Sequence, residues 1–259
     1  MLDTARRAIV ASEGVLAALR ELKRSMMQHL FTYGPVPVHE AEHVSLKETE
    51  IGPVPEAWDV VPLGEVADVE RGKFSHRPRN DPAFYGGNIP FIQTGDVSGS
   101  ESEITSYSQT LNERGLAVSR LFPRETIVIT IAANIGYTGV LGFDAAFPDS
   151  LVGITAKRVD TWYLEYYLQT QQRVMDSRAS RGTQKNINLR FLRPWPVPVA
   201  SHDQQQAITD DLGSVDSAIV AEADRKQALE TLFQSLLHNL MTGRVRVPLE
   251  TEPVEEVSS

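Results

Sequence analysis

The feature that most constrains this chain is a segment near its beginning that recurs near its end, at a fixed offset of 210 residues. Residues 18–32 and 228–242 carry apolar and small side chains at matching positions. The identical pairs are Ala18/Ala228, Leu19/Leu229, Leu22/Leu232, Ser25/Ser235, Leu30/Leu240 and Thr32/Thr242. Two copies of one apolar seam on either side of a middle region favour packing of the terminal segments on each other. The alternative is that two unrelated amphipathic helices converged on similar residues.

Both copies lie in segments with helical periodicity. Apolar residues recur at three- and four-residue spacings over 4–32, and Gly34 with the following prolines ends the pattern. A second run begins after Ser201, a suitable helix cap, and continues for about 40 residues. Its seam follows a heptad pattern that is interrupted by Glu222 and Lys226. We therefore predict two long helices that pair as an antiparallel coiled coil.

The region between the helices changes to short apolar runs that are separated by glycine and proline. Residues 89–92, 126–131, 139–143 and 151–155 are typical of β-strands. Residues 161–177 have the length and spacing of an amphipathic helix. The predicted fold class is α+β, with one β-rich globular domain flanked by the two long helices.

The charge of the chain is unevenly distributed. The formal net charge is -9, from 25 Lys and Arg against 34 Asp and Glu. Residues 61–200 hold 15 of the basic and 14 of the acidic residues, which leaves 10 and 20 for the flanks. A nearly neutral middle region is compatible with phosphate binding, although the whole chain is acidic. The absence of cysteine excludes disulfides and thiolate chemistry, and no apolar run is long enough to span a bilayer, so we expect a cytoplasmic protein.

Two clusters in the middle region are candidates for contacting DNA. The first contains Arg71, Lys73, Arg77 and Arg79. The second contains Arg181, Thr183, Gln184, Lys185 and Asn186. Guanidinium and ammonium groups contact phosphates, while Arg, Gln and Asn can also bond base edges. The alternatives are an ordinary solvated surface for the first cluster and a polar turn for the second.

Several separated sequence signatures resemble the specificity subunits of type I restriction-modification enzymes. The signatures occur in the order found in that family, at residues 19–34 with 46–58, 63–67, 85–97, 182–188 and 204–208. Among them are Tyr85-Gly86-Gly87-Asn88-Ile89-Pro90-Phe91 and Gly182-Thr183-Gln184-Lys185-Asn186. The resemblance covers nearly the whole chain.

This resemblance implies a non-catalytic reader of double-stranded DNA, with no cofactor. In the family, each target-recognition domain reads one half of a split site. Helical repeats dock two adenine-type DNA methyltransferase subunits, through which the restriction and translocase subunit associates. Family members usually carry two recognition domains, whereas this chain has one. We expect either a half-subunit that forms a homodimer through its helices and reads a palindromic site, or the product of a gene that lost its first half.

The resemblance also assigns a role to each part of the chain. We predict an N-terminal coiled-coil helix at 1–34, a connector at 35–57, a target-recognition domain at 58–199, a C-terminal coiled-coil helix at 200–243 and an acidic flexible tail at 244–259. The competing hypothesis is a helical adaptor whose middle domain binds protein and not DNA.

Three patterns resemble catalytic motifs but have the wrong context. Residues 39–43, His-Glu-Ala-Glu-His, match the zinc-protease pattern but lie in a polar connector after two prolines. The glycines at 136, 139 and 142 lie in a β-rich run and open no helix. Residues 81–84, Asp-Pro-Ala-Phe, lack the second proline of the motif with which methyltransferases act on exocyclic amines. We predict no catalytic residues and no metal site.

Overall fold

The computed structural model describes residues 2–132, 134–179 and 186–242. The first half of the chain forms α1 (Leu2–Tyr33), a 3-10 helix (Val38–His43), β1 (Leu46–Thr49), β2 (Gly52–Pro55), β3 (Asp59–Pro62), α2 (Leu63–Val66), β4 (Ala67–Arg71), a second 3-10 helix (Pro82–Phe84), β5 (Tyr85–Phe91), α3 (Thr94–Ser98), β6 (Glu103–Ile104), β7 (Gln109–Leu111), α4 (Glu113–Ala117) and β8 (Leu121–Phe122). The second half forms β9 (Ile127–Thr130), β10 (Thr138–Leu141), β11 (Ala145–Ala146), β12 (Leu151–Ala156), α5 (Thr161–Arg178), α6 (Leu189–Leu192), β13 (Pro196–Val199) and α7 (His202–Met241).

The chain divides into two compact units. The terminal unit comprises residues 1–21 and 217–259, and the central unit comprises residues 22–216. The long helices α1 and α7 contribute residues to both units. The globular part of the fold lies in the central unit.

Within the terminal unit, α1 and α7 pair through polar as well as apolar residues. Ser12 donates a hydrogen bond to the carboxylate of Glu222, and Nζ of Lys226 lies 3.0 Å from Oε1 of Glu13. Glu222 and Lys226 are the residues that interrupt the heptad seam of α7. The interruption therefore has polar partners on α1, which explains how the helix tolerates it.

Within the central unit, the same two helices are joined by a buried ion pair. Nζ of Lys23 lies 2.7 Å from Oδ1 of Asp216. The partner of residue 13 is residue 226 and the partner of residue 23 is residue 216, so the helices run antiparallel. At the start of α7, the hydroxyl of Ser201 accepts a hydrogen bond from the backbone N–H of Gln204 at 3.4 Å, as expected of a helix cap. The predicted fold class, a β-rich domain with two long antiparallel helices, is confirmed.

The central unit contains two main β-sheets. One is five-stranded in the order β4-β12-β9-β10-β6, and the other is four-stranded in the order β7-β5-β11-β8. β9 and β10 are buried at every position, and most of their side chains are apolar. The same core contains Met27, Leu30 and Phe31 of α1 together with Ile208 and Leu212 of α7. The parts of the two apolar seams that lie in this unit thus belong to its core.

Helix α5 covers this core and begins at a side-chain cap. The Asp160 carboxylate accepts hydrogen bonds from the backbone N–H groups of Trp162 and Tyr163, at 2.8 and 2.9 Å. The hydroxyls of Tyr163 and Tyr167 donate to the backbone carbonyls of Pro198 and Pro196 on β13. The buried tyrosines therefore attach α5 to the strand that leads into α7.

A buried polar network surrounds the Lys23–Asp216 pair. Lys23 also donates to the hydroxyl of Ser102 at 2.6 Å, and the hydroxyl of Tyr166 donates to Asp216 at 2.8 Å. These bonds compensate the desolvation of the two charges, as a buried ion pair requires. The network links α1, α5 and α7 through side chains of defined geometry.

Glu165 lies at the centre of the same region and is fully buried. One carboxylate oxygen accepts hydrogen bonds from Thr138 at 2.8 Å and Gln169 at 2.9 Å. The other oxygen has no hydrogen-bond partner among the described residues. Burial raises the pKa of Glu165 to about 7, against the lowering effect of these hydrogen bonds and of the Lys23 charge.

Candidate nucleic-acid interface

Three of the four arginine and lysine residues in the first predicted cluster converge on Asp149. The Nε of Arg71 donates to the backbone carbonyl of Asp149 at 2.6 Å. The guanidinium of Arg77 lies 3.5 Å from one carboxylate oxygen of Asp149, and that of Arg79 bonds to the other. All four residues of the cluster, including Lys73, have exposed side chains. The structure therefore brings the cluster together on one surface of the central unit.

The pairing of β4 with β12 explains why Asp149 lies beside these residues. Arg71 at the end of β4 is opposite Val152 of β12, so the residues just before β12 lie beside those just after β4. Gly72 permits this close approach, because a Cβ there would lie 2.3 Å from the backbone oxygen of Pro148. The sequence contains no local signal for the role of Asp149, since it is 70 residues away from Arg79 and only the strand pairing joins them.

The segment that carries Arg77 and Arg79 is held by side-chain contacts. Nη1 of Arg77 donates to the backbone carbonyls of Phe74 and His76, at 2.6 and 2.7 Å. The imidazole of His76 stacks on Phe84 with 4.0 Å between ring centroids and lies 3.1 Å from a carboxylate oxygen of Asp81. Phe74 itself is buried in a small apolar cluster. The basic residues thus project from an ordered surface.

The positive charges of Arg77 and Arg79 are partly neutralised by Asp149 and partly exposed to solvent. About half of the Arg77 and Arg79 side-chain surface is exposed, and about a third of that of Asp149, so solvent screens these pairs. An aspartate beside two guanidinium groups restricts their rotamers and partly neutralises them. The arrangement orients planar donors toward solvent, where a phosphate or a base edge could accept their remaining N–H groups.

Most of the second predicted cluster lies outside the described residues. Arg181, Thr183, Gln184 and Lys185 fall there, and their assignment stays a prediction. Asn186 is described and its side chain is exposed. Its backbone forms a β-bridge with Ala132, which follows β9.

The histidine motif at residues 39–43 forms a 3-10 helix and not an α-helix. With three residues per turn, His39 and His43 point in different directions from the helix axis. Both imidazoles are exposed, and each lies near the carboxylate of a neighbouring glutamate. In the described ranges, no group of three or more His, Asp or Glu side chains is arranged to hold a metal ion. The helices of those ranges also lack the apolar length needed to cross a membrane.

A comparison with protein families decides the classification. Residues 55–231 match the family described as "Type I restriction modification DNA specificity domain". The chain belongs to this family. The match includes the arginine cluster, Asp149 and the first part of α7, so the specificity domain covers the candidate interface.

Relatives of this specificity domain are longer proteins. The chain is 26% identical over 234 residues to the putative type I restriction enzyme MjaX specificity subunit of Methanocaldococcus jannaschii, covering 90% of this chain and 52% of the relative. It is also 26% identical over 251 residues to the type I restriction enzyme MjaVIII specificity subunit of that organism, covering 90% and 55%. The chain therefore spans about half the length of the curated relatives it matches.

Solved structures support the same fold. The type I restriction-modification S subunit from M. genitalium superposes with a TM-score of 0.63 at 13% identity, covering 91% of this chain and 57% of that one. The HsdS subunit from Thermoanaerobacter tengcongensis superposes with a TM-score of 0.54 at 19% identity, covering 93% and 59%. The predicted resemblance to type I specificity subunits is confirmed.

Proposed function

We propose that this chain is a non-catalytic subunit that gives sequence specificity to a DNA methyltransferase complex of type I. The observation that carries the proposal is the match of residues 55–231 to the specificity-domain family. The exposed arginine cluster around Asp149 supports it, because these groups have the chemistry needed to bond phosphates and guanine edges. Residues 58–199 would be the target-recognition domain that reads one half of a split site.

The helices are the proposed docking elements for the partner subunits. Residues 1–34 and 200–243 would form the coiled coil that binds adenine-type methyltransferase subunits, and the restriction and translocase subunit would associate through them. Catalysis would then belong to the partners, with cofactors and metals bound there. Residues 35–57 would connect the first helix to the recognition domain, and 244–259 would form an acidic tail.

A homodimer would bring together two recognition domains, one for each half of a complete DNA site. In the second copy of the repeated segment, residues 228–242, Met241 is 80% exposed, whereas Leu232 at 50% resembles its counterpart Leu22 at 48%. In the first copy, Met27, Leu30 and Phe31 are buried in the core of the central unit. Exposed apolar residues in the second copy favour a further partner, which a second chain could supply. A two-fold dimer would read a palindromic split sequence.

The salt dependence of duplex binding tests the proposal. The full-length chain, co-expressed with methyltransferase subunits, is titrated with duplex DNA over a series of salt concentrations. Lys73→Ala and Arg77→Ala should each weaken binding and reduce the slope of log K against log salt by about 1, because each removes one phosphate contact. Lys157→Ala is the matched control. Lys157 is paired with Asp68, at the opposite end of the β4–β12 pair from Arg71.

The same titration separates this proposal from the adaptor hypothesis. Affinity that changes neither with salt nor with DNA sequence would favour a domain that binds protein. In the second cluster, Lys185→Ala should weaken binding, and Arg181→Ala or Gln184→Ala should relax specificity. If all three variants bind like the wild type, those residues do not contribute to the interface.

Asp149→Asn should increase the affinity for DNA, in contrast to the lysine and arginine variants. Removing this carboxylate leaves the guanidinium groups of Arg77 and Arg79 without their acidic partner, so affinity for a duplex of unrelated sequence should increase. Discrimination between the recognised and the unrelated duplex should decrease, because the guanidinium groups lose an orienting contact. A competition assay with the two duplexes measures both effects, and an unchanged ratio would exclude an orienting role for Asp149.

A further inference from the structure

A cavity of about 440 Å³ opens beside the arginine cluster, and its lining has an apolar and a polar part. Phe74 and Phe91 are buried and form part of the lining with Tyr85. Gln93 and Gln109 also line the cavity, and Gln109 is exposed to solvent. The cavity therefore presents the partly exposed ring of Tyr85 and amide groups to the same space, with Phe74 and Phe91 buried behind them.

The two amides are held together by a direct hydrogen bond. Nε2 of Gln93 donates to Oε1 of Gln109 at 3.1 Å. Gln109 begins β7 and is paired with Phe91 of β5, two residues before Gln93, so both amides extend from adjacent strands. The Asp96 carboxylate supports both sides, because it accepts the backbone N–H of Gln93 at 2.7 Å and the hydroxyl of Ser108 at 3.1 Å.

This pair keeps capacity for a further ligand. A primary amide has two N–H donors and two acceptor lone pairs, and the bond between Gln93 and Gln109 uses one donor of the first and one lone pair of the second. A Gln side chain can make a bidentate contact with N6 and N7 of adenine in the major groove, while apolar side chains contact the methyl group of thymine. The amides and the partly exposed ring of Tyr85 thus match the two halves of one A·T pair.

Arg79 connects the cavity with the arginine cluster. It lines the cavity, and its guanidinium bonds to Asp149. Its backbone carbonyl accepts a hydrogen bond from the hydroxyl of Tyr85, another lining residue. A guanidinium at the edge of a base-reading pocket is suitably positioned to bond the neighbouring phosphate.

We propose that Gln93 and Gln109 read the major-groove edge of an adenine, with Tyr85 beside the paired thymine and Arg79 on the adjacent phosphate. The assignment rests on the proposed function, since it requires duplex DNA to lie against the arginine cluster. It adds two specificity-determining residues that the sequence alone did not select. Gln93 lies within the signature at residues 85–97, but neither it nor Gln109 belongs to the two basic clusters.

A double-mutant cycle that combines substitutions in the protein with substitutions in the DNA tests this assignment. The probe is a duplex that carries the site found by methylation mapping, in which each adenine in turn is replaced by 7-deazaadenine, which lacks the N7 acceptor. The full chain with its methyltransferase partners should bind the duplex more weakly when one particular adenine is replaced. The expected loss is roughly 5- to 150-fold, the equivalent of ~1–3 kcal/mol. The same replacement should have little effect on Gln93→Ala or Gln109→Ala, because the contact is already lost.

The control is Lys157→Ala, which removes a surface side chain paired with Asp68 at the opposite end of the β4–β12 pair from Arg71. This variant should retain the full effect of 7-deazaadenine. If 7-deazaadenine weakens binding equally in the wild type and in both cavity variants, or at no position, the assignment of Gln93 and Gln109 is overturned. Salt-dependent binding of the same duplexes would then leave the proposed function intact, whereas its absence in the wild type would overturn both.

Discussion

The two copies of the repeated segment have similar sequences but different surroundings. In the first copy, Leu30 and Phe31 are 5% and 8% exposed, and the Phe31 ring lies 5.2 Å from that of Tyr163 on α5. In the second copy, Leu240 is half-buried and Met241 is 80% exposed. Residues 22–32 of the first copy belong to the central unit, whereas the second copy belongs to the terminal unit, whose described part is built from α1 and α7. The same apolar periodicity therefore predicts which face of a helix is apolar but not how many layers cover it.

The two units also differ in the ion pair that joins α1 to α7. In the central unit, the side chains of Lys23 and Asp216 are 7% and 17% exposed. In the terminal unit, the side chains of Lys226 and Glu13 are 28% and 53% exposed. Burial decides how much the loss of such a pair affects stability, because an isolated charge is penalised in the core but solvated at the surface.

Lys23→Ala should produce the largest effect. The variant leaves Asp216 buried without its cation, so the free energy of unfolding should decrease by about 3–5 kcal/mol. Urea denaturation followed by circular dichroism measures the change. Lys226→Ala in the terminal unit is the matched control and should leave the urea midpoint nearly unchanged.

The double variant Lys23→Met/Asp216→Leu separates the loss of charge compensation from the loss of packing. Replacing both charges with apolar side chains removes the desolvation penalty, so stability should return to that of the wild type or exceed it. A double variant as unstable as Lys23→Ala would show that the two helices need the polar network for packing, and not only for charge compensation.

Leu30→Ala and Leu240→Ala compare equivalent positions of the two copies directly. Leu30→Ala leaves a cavity in the core and should lower the free energy of unfolding by about 2–5 kcal/mol. Leu240→Ala should have a smaller effect on unfolding, because its side chain is only half-buried. If a second chain covers the second copy, Leu240→Ala should also shift sedimentation toward the monomer. Equal losses of stability at the two positions would contradict the difference in burial.

Glu165→Gln tests the polar network near the first copy and should have a smaller, pH-dependent effect. The folded-state pKa of Glu165 is about 7, whereas the carboxyl in the unfolded chain has its ordinary pKa of 4.5, so the folded protein binds more protons between these values. The stability of the wild type should therefore decrease as pH rises from 4.5 to 7 and then level off. The glutamine variant lacks this titration and should be more stable than the wild type at pH 8, on the order of 1–3 kcal/mol.

Urea denaturation at pH 5, 6, 7 and 8 measures the difference between the two proteins. Lys23 and Asp216 are the charged groups that face Glu165, and both remain in the variant. A difference that does not change over this range would show that the carboxyl is already ionised when the protein folds.

The sequence predicted the parts of the fold that depend on local periodicity. The helical spacing in α1 and α7 and the cap at Ser201 are such features, as are the apolar runs of β9 and β12. Contacts between distant parts of the chain were not predictable, since one sequence contains no record of which strands pair. The meeting of Arg79 with Asp149 and that of Gln93 with Gln109 belong to this second class.

The candidate site was therefore only partly accessible from the sequence. The first basic cluster was found because its residues are close together along the chain. The acidic residue that orients it lies across a strand pair, and the cavity beside it is formed by three separate segments. Charge clustering identifies where an anion could bind, but it does not identify the groups that would discriminate between bases.

Methylation mapping is the most direct test of whether this chain selects the DNA site. Genomic DNA is compared from cells that express the methyltransferase subunits with and without this chain. We expect methylated adenines in a split sequence motif only when the chain is present, and a palindromic motif if two copies pair. An identical methylation pattern in both strains would contradict the claim that this chain selects the DNA site.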